Sequence, residues 1–192
     1  NLPNLEGADV PEGTYLEDHL GDRCVELIEQ RDPNRPFFLN YWPYLVHTPI
    51  QAPEELVEKY RKKAAAMGLD QIDPFEPGEP FTTLHKRGQR VMRRTIQSDQ
   101  VYAAMVEVMD RNIGRILDAI DAAGETDNTL VLFTSDNGGL STAEGSPTCN
   151  APLAEGKGWM YEGGTRVPLL VRWPGVVEPG SVCTVPVTSP DF

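Results

Sequence analysis

Three stretches of the chain predict helices, and apolar residues recur at helical spacing in the first and the last of them. The first covers residues 15–30, and the second, residues 54–67, predicts a charged surface helix with Gly68 just past its end. The third and longest pattern predicts one helix from about residue 90 to residue 123, with Gly124 as its left-handed cap. The arginines in the early part of this helix are expected to form a solvated positive face.

Continuous apolar runs elsewhere in the chain predict strands. Residues 37–42 and 129–135 are apolar through their middle, which is typical of strands that are buried on both faces of a sheet. Further strands are predicted at residues 167–173 and, as a short element, at residues 181–187. Because helices and strands alternate, the pattern predicts an α/β fold with a mixed, mostly parallel sheet that is flanked by helices.

Two segments show no regular pattern. Residues 70–80 contain three prolines and four acidic residues, which predicts an exposed excursion or a mobile lid. Between Ser135 and Val167 the chain carries seven glycines and little periodicity. Long glycine-rich loops with little structure of their own are usually functional or disordered, so this loop is the first place to expect chemistry.

Composition and charge narrow the class of protein. The chain has 192 residues and a formal net charge of −12, so binding to nucleic acid or to anionic lipid is not predicted. Its three cysteines are far apart and form no CxxC pair, which argues against a zinc ribbon or a disulfide scaffold. No apolar run approaches the roughly 20 residues that are needed to cross a bilayer, so no membrane span is predicted.

The segment SDNGG, residues 135–139, directly follows the second of the predicted strands. In open α/β sheets, ligands bind beyond the carboxyl ends of strands. Asp136 and Asn137 offer hard oxygen ligands of the kind that calcium and magnesium prefer, and the glycines let the backbone turn sharply. The same residues also make an ordinary turn, so a metal site and a turn both remain open interpretations.

His47 and Lys157 are the other candidate functional residues. His47 lies just after the predicted strand at residues 37–42, and a histidine can donate to an anionic ester or protonate a leaving group. Lys157 stands between two glycines, where it could reach an anion as a compact point charge. Arg166 is expected to pair with an acid rather than bind a ligand, and His19 and His85 are interpreted as surface residues.

Four pieces of sequence, taken together and in this order, resemble the sulfatase family of the alkaline-phosphatase superfamily. They are PFFLNYWPYLVHTP, TLVLFTSDNGG, the run from GKG through YEGGTRVPLLVRWPG, and the closing SPDF. The resemblance extends from about Leu16 to Phe192, and it is the combination that is specific rather than any single piece. It implies a partial alkaline-phosphatase-like α/β domain and an arylsulfatase-like hydrolase of sulfate esters.

The resemblance also implies a role for each matching residue. Asp136 and Asn137 match the later pair of calcium ligands, with magnesium or manganese as alternative metals. His47 matches the histidine that hydrogen-bonds the sulfate ester near its leaving oxygen, and Lys157 matches the lysine that neutralises the sulfate group. The substrate would be a sulfated small molecule or a sulfated carbohydrate, and the protein would be periplasmic or secreted. The oligomeric state is not indicated.

One departure from the family pattern bears on activity. The family's nucleophile, a formylglycine made in a C/S-x-P-x-R motif, lies upstream of the matching region, and this sequence has no such motif. Residues 1–192 are therefore predicted to be one partial catalytic domain without the nucleophile region or the C-terminal subdomain, and inactive alone. Two alternatives stay open: a phosphodiester or phosphonate monoester hydrolase of the same superfamily, and a non-catalytic α/β binding module.

Overall fold

The computed structural model describes residues 10–11 and 13–192. Its α-helices and β-strands, in chain order, are α1 Leu16–Glu29, α2 Glu54–Ala66, β1 Phe75–Pro80, β2 Arg90–Arg94, α3 Gln100–Ala122, β3 Val131–Thr134, α4 Glu162–Thr165 and β4 Leu169–Arg172. Single 3-10 turns lie at Leu69–Gln71, Leu84–Lys86, Thr126–Asn128 and Ser189–Asp191. The first two predicted helices are thus confirmed to within two residues at each end.

Helix α3 is the central element, because both α1 and α2 pack against it. Its buried positions recur every three or four residues and form one stripe: Ala104, Met105, Val108, Asn112, Ile116 and Ile120. Ile116 and Ile120 join Cys24 and Ile28 of α1 in the hydrophobic core. The last turn is followed by Gly124 at φ 73°, so the predicted left-handed cap is confirmed.

The third helix begins about ten residues later than the sequence pattern predicts. Residues 90–94 form strand β2, and α3 begins only after Asp99, whose carboxylate accepts a hydrogen bond from the Tyr102 N–H at 2.9 Å. In β2 both Val91 and Arg94 are buried, and because they are three residues apart they lie on opposite faces of the strand. Burial in this strand therefore does not follow a two-residue period that the sequence pattern could have shown.

In the predicted excursion or lid at residues 70–80, residues 70–73 are exposed as expected, but Phe75–Pro80 form the first strand of a hairpin. Strand β1 pairs with β2 in antiparallel register from Phe75↔Arg94 to Pro80↔Arg90, with an irregularity between Pro77 and Pro80. Prolines remove backbone donors, which explains why the ladder is interrupted there.

The expected solvated positive face is also wrong for two of its arginines. Arg94 is buried, donates to the Ser146 carbonyl at 2.6 Å, and lies against the Phe75 ring. Arg93 forms ion pairs with Glu76 and with Glu155.

The strands around the candidate site pair differently from the prediction. Strand β3 pairs with β4 in antiparallel register, from Val131↔Arg172 to Thr134↔Leu169, and β1–β2 is antiparallel too. Neither strand pair among the described residues is therefore parallel, in contrast to the mostly parallel sheet that was predicted. The run of residues 37–42 is extended chain without a strand partner in the described part, and residues 181–187 form no strand.

The exposure of the 37–42 segment explains why its apolar pattern misled. Leu39 and Tyr41 pack against the hydrophobic core, whereas Phe38 and Trp42 are 90% and 80% exposed, so only one face of the segment is covered among the described residues and no strand pairs with it. A continuous apolar run shows that a segment is suited to burial on both faces, but it does not show that neighbouring strands are present to bury it.

Across the described residues, no helix is both long and apolar enough to span a membrane.

Candidate active site

The loop that carries His47 is held by a buried carboxylate. Glu17, in the first turn of α1, is 2% exposed, and its Oε1 accepts hydrogen bonds from the backbone N–H groups of Tyr44 at 2.7 Å and Leu45 at 3.0 Å. The N–H of His47 in turn donates to the Tyr44 carbonyl at 2.9 Å. The position of His47 is therefore fixed through the backbone of this loop by a residue 30 positions earlier in the chain.

The imidazole of His47 contacts the side chain of Lys157. Its Nε2 lies 2.8 Å from Lys157 Nζ, and its Nδ1 lies 3.0 Å from the Thr48 carbonyl oxygen. Because a carbonyl oxygen can only accept, Nδ1 carries a proton in this arrangement and Nε2 accepts from the lysine. The structure thus brings together two of the residues that the sequence singled out, although 110 positions separate them.

Lys157 is attached to the loop that contains Asp136 and Asn137. Its backbone N–H donates to the carbonyl of Gly139 at 3.0 Å, so the lysine begins next to the SDNGG turn. Within that turn the Asn137 amide donates to Asp136 Oδ1, and the Ser135 hydroxyl donates to the Asn137 carbonyl at 2.8 Å. The structure therefore joins the His47, Lys157 and SDNGG segments through an unbroken series of contacts.

Asn150 organises the glycine-rich loop around the lysine. Its Oδ1 accepts from the Gly139 N–H at 3.0 Å, and its Nδ2 donates to the carbonyls of Gly139 at 2.8 Å and Glu155 at 2.9 Å. The Ser141 hydroxyl donates to the same Glu155 carbonyl at 2.9 Å. Four hydrogen bonds thus tie residues 139–141 to the residue two positions before Lys157, without any helix or strand.

A second carboxylate fixes the other side of this loop. Glu155 is 1% exposed, and its Oε1 accepts from the Glu79 N–H at 3.1 Å and pairs with Arg93 at 3.4 Å. The β1–β2 hairpin is therefore anchored beside Lys157. Sequence reasoning missed Glu17, Asn150 and Glu155, since each acts through backbone groups of a distant segment and no local pattern marks such a partner.

The glycines of the SDNGG and EGGT segments are required by close backbone approach. A Cβ built on Gly138 would lie 1.7 Å from the carbonyl oxygen of Gly163, and one on Gly163 would lie 2.2 Å from the carbonyl oxygen of Glu155. The Gly138 N–H also donates to the Gly164 carbonyl at 3.0 Å. The two segments can pack against each other only because neither carries a side chain at the contact.

We expect Gly138→Ala to lower the free energy of unfolding by at least about 2 kcal/mol, because backbone rather than a flexible side chain must move to admit the methyl group. Gly114→Ala is the matched control. Gly114 lies inside α3, where an added Cβ meets nothing within 4 Å, so the control should raise stability by about 0.5–1 kcal/mol. Urea denaturation of both variants measures the difference, and equal effects would show that the close contact is not needed.

The donor set of the SDNGG turn fits a divalent metal in part. The Asp136 carboxylate, which is exposed, and the Asn137 amide oxygen are hard ligands that suit calcium or magnesium. The described part of the chain contains no group of three or more histidine, cysteine, aspartate or glutamate residues that could hold a metal ion. Two oxygen ligands fall short of the six to eight that calcium takes, so any metal here needs further ligands.

The remaining candidate residues have surface positions. Arg166 pairs with Glu162 at 3.3 Å, as expected for a structural role, and both side chains are mostly exposed. His85 is exposed and His19 is half-buried. Trp42 and Tyr44 are exposed near the His47 loop, whereas the Trp159 indole donates to the Thr142 hydroxyl at 3.0 Å.

Comparisons of the sequence with a family model and with known proteins agree with one another. The sequence matches the family model described as Sulfatase over residues 1–191. A sulfatase of Formosa agariphila is 38% identical over 184 residues, which cover 90% of this chain and 28% of that protein. Arylsulfatase J of Mus musculus is 29% identical over 175 residues, which cover 91% of this chain and 24% of that protein.

A solved structure is similar as well. The structure of Ps i-CgsB in complex with k-i-k-neocarrahexaose has a TM-score of 0.61 and 30% sequence identity, and the match covers 88% of this chain and 30% of that one. The likeness confirms the predicted α/β class. Across these three relatives the chain spans between 24% and 30% of the relative's length.

Proposed function

Because this chain belongs to the sulfatase family, we propose that the whole protein hydrolyses sulfate esters and that residues 1–192 form part of its catalytic domain. One observation carries the proposal: Lys157 Nζ lies 2.8 Å from His47 Nε2, and the Lys157 backbone N–H donates to the Gly139 carbonyl of the SDNGG turn. A cationic lysine that meets an imidazole, on a loop that is hydrogen-bonded to the segment with the Asp136 and Asn137 oxygens, supports a site for an oxyanion and a metal.

In the proposed mechanism, Lys157 neutralises the sulfate group as a point charge. His47 donates from Nε2 to the leaving oxygen of the ester, and it holds its second proton on Nδ1 against the Thr48 carbonyl. In this step Nε2 takes up a proton from solvent when its contact with Lys157 is broken, and it passes that proton to the departing alcohol while Nδ1 keeps its own. The contact with Lys157 is exchanged for contact with the substrate when the ester binds between the two groups.

Asp136 and Asn137 would hold a divalent metal, for which we propose calcium, with magnesium and manganese as alternatives. A metal bound there supplies polarisation of the sulfate oxygens. The Asn137 amide already donates to Asp136 Oδ1, which orients the two side chains with respect to each other. We further propose that a formylglycine from outside this sequence supplies the nucleophile, since no C/S-x-P-x-R motif occurs in the 192 residues.

For the substrate we propose a sulfated carbohydrate, with a sulfated small molecule as the alternative. Exposed aromatic rings near a site suit stacking on sugar faces, and Trp42 and Tyr44 are 80% and 47% exposed at the His47 loop. The similar structure of Ps i-CgsB contains k-i-k-neocarrahexaose, a carbohydrate ligand. A periplasmic or secreted location is proposed with this substrate.

The proposal is tested by assaying the full-length protein against a panel of esters. We expect inorganic sulfate to be released from an aryl sulfate or from sulfated oligosaccharides, measured by ion chromatography, and bis-aryl phosphate to react at least about 100-fold more slowly. Addition of a chelator should abolish release and added calcium should restore it. Faster cleavage of the phosphate diester would instead favour the phosphodiesterase alternative, and no turnover of any ester would favour a binding module.

A further inference from the structure

The Glu17 carboxyl is an unusual group to bury. It is 2% exposed, and its Oε1 accepts hydrogen bonds from two backbone N–H groups. Its Oε2, in contrast, has no hydrogen-bond partner of ordinary geometry among the described residues. The hydroxyl of Tyr41 is also buried, and it faces the Glu17 carboxylate without a hydrogen bond of ordinary geometry. No cation of the described residues pairs with Glu17, so the two backbone N–H groups, with the Tyr41 hydroxyl nearby, are the polar groups that face the carboxylate.

The energetic cost of this arrangement indicates a role beyond stability. Burial raises the pKa of the Glu17 carboxyl above its ordinary value, and the backbone N–H groups of Tyr44 and Leu45, together with the Tyr41 hydroxyl, lower it only in part. A raised carboxyl pKa means that the charged form is less favourable in the folded state than in the unfolded state, so at pH values above that pKa the ionised group costs stability. An apolar residue of similar size would avoid this cost but could not accept from the loop.

We propose that Glu17 is a positioning residue for the sulfatase reaction, which sets the place of His47 by holding the 44–45 backbone. The inference rests on the proposed function of His47. Three linked contacts carry it: Glu17 to the Tyr44 and Leu45 N–H groups, the His47 N–H to the Tyr44 carbonyl, and His47 Nε2 to Lys157. Glu17 contacts no candidate substrate-binding group itself, and it acts through the loop.

The first measurement is kcat/KM for the sulfate ester in the full-length protein. Glu17→Ala should lower it by about 10- to 100-fold, because displacement of a reacting group by about 1 Å can cost 100-fold. Glu17→Gln should stay within about threefold of wild type, since its amide oxygen can accept the same two N–H groups. The matched control is Glu29→Ala, an exposed glutamate of the same helix, which should leave activity unchanged.

A double-mutant cycle separates positioning from general support of the fold. If Glu17 acts through His47, then Glu17→Ala should cost less than about twofold in a His47→Ala background, because the group it positions is already gone. The same loss in both backgrounds would overturn the proposal. An effect of Glu17→Ala below twofold in the wild-type background would overturn it too.

Amide hydrogen exchange gives a readout that does not require turnover. We expect faster exchange at residues 44–48 in Glu17→Ala, near-wild-type exchange there in Glu17→Gln and Glu29→Ala, and unchanged exchange in α3 of all three. Unchanged exchange at residues 44–48 in Glu17→Ala would contradict the holding role. If the wild type hydrolyses no sulfate ester, the proposed function fails, whereas the exchange measurement still decides whether Glu17 holds the loop.

Discussion

Replacement of Lys157 by alanine is expected to lower kcat/KM for a sulfate ester by at least about 100-fold, because removal of one donor to a transition-state oxyanion typically costs 10²- to 10³-fold. The charged Nζ of Lys157 lies 2.8 Å from His47 Nε2, so an anionic group bound at this contact would meet the lysine directly. Initial-rate kinetics on the full-length protein measure the loss.

Three further variants define the origin of this effect. Lys62→Ala removes an exposed lysine of α2 whose side chain is 76% exposed, and it should leave kcat/KM within about twofold of wild type. His47→Ala should lose about 10²- to 10⁴-fold as a general acid, and the double variant Lys157→Ala/His47→Ala should lose less than the product of the two. A Lys157→Ala enzyme that keeps wild-type kcat/KM would contradict the proposed site.

The second large effect is expected for Asp136→Ala. Loss of a carboxylate ligand should weaken calcium binding by more than about 100-fold, since even outer-shell partners of a metal typically contribute 10- to 100-fold, and turnover should fall with it. Isothermal titration of the full-length protein with calcium measures the affinity directly. The thermal stabilisation that calcium gives the wild type should shrink in the variant by mass action.

Asp118→Ala is the control for this experiment. Asp118 is an exposed carboxylate on α3 without an ion-pair partner among the described residues, and its loss should change neither calcium affinity nor turnover. Asp136→Asn should be intermediate, because it keeps an oxygen ligand without the charge. Calcium affinity that is equal in wild type and Asp136→Ala would remove Asp136 from the metal site and leave the SDNGG segment as an ordinary turn.

Helical periodicity predicted the fold well where one face of an element is buried within this chain. Helices α1 and α2 both pack on α3, and the apolar stripe of α1 and the charged pattern of α2 predicted their bounds closely. Strand prediction failed where burial depends on neighbouring strands: residues 37–42 were predicted to form a buried strand, yet Trp42 is 80% exposed. The hairpin was missed because the prolines of β1 are typical of a loop and because the buried residues of β2, Val91 and Arg94, are three positions apart and give no two-residue alternation.

The motifs of the sequence predicted the residues of the candidate site, but they did not predict the residues that hold the surrounding loops in place. His47 and Lys157 stand in distinctive segments, and the structure places them in contact. Asn150 and Glu17 have no such marker, because each binds backbone N–H or carbonyl groups that every residue type provides. A side chain that hydrogen-bonds only to backbone groups produces no recognisable spacing of residues in the sequence. Such a partner can therefore be identified only in the folded structure.

The tip of the β1–β2 hairpin is a place where the chain can be lengthened at little cost in stability. Glu155 contacts Glu79 of β1 and Arg93 of β2, while residues 82–89 at the tip are exposed. Doubling the length of a flexible loop adds only about 0.6 kcal/mol of closure entropy. Insertions at the tip should therefore cost little stability, while the contacts of Glu155 with both strands keep the segment next to Lys157 in place.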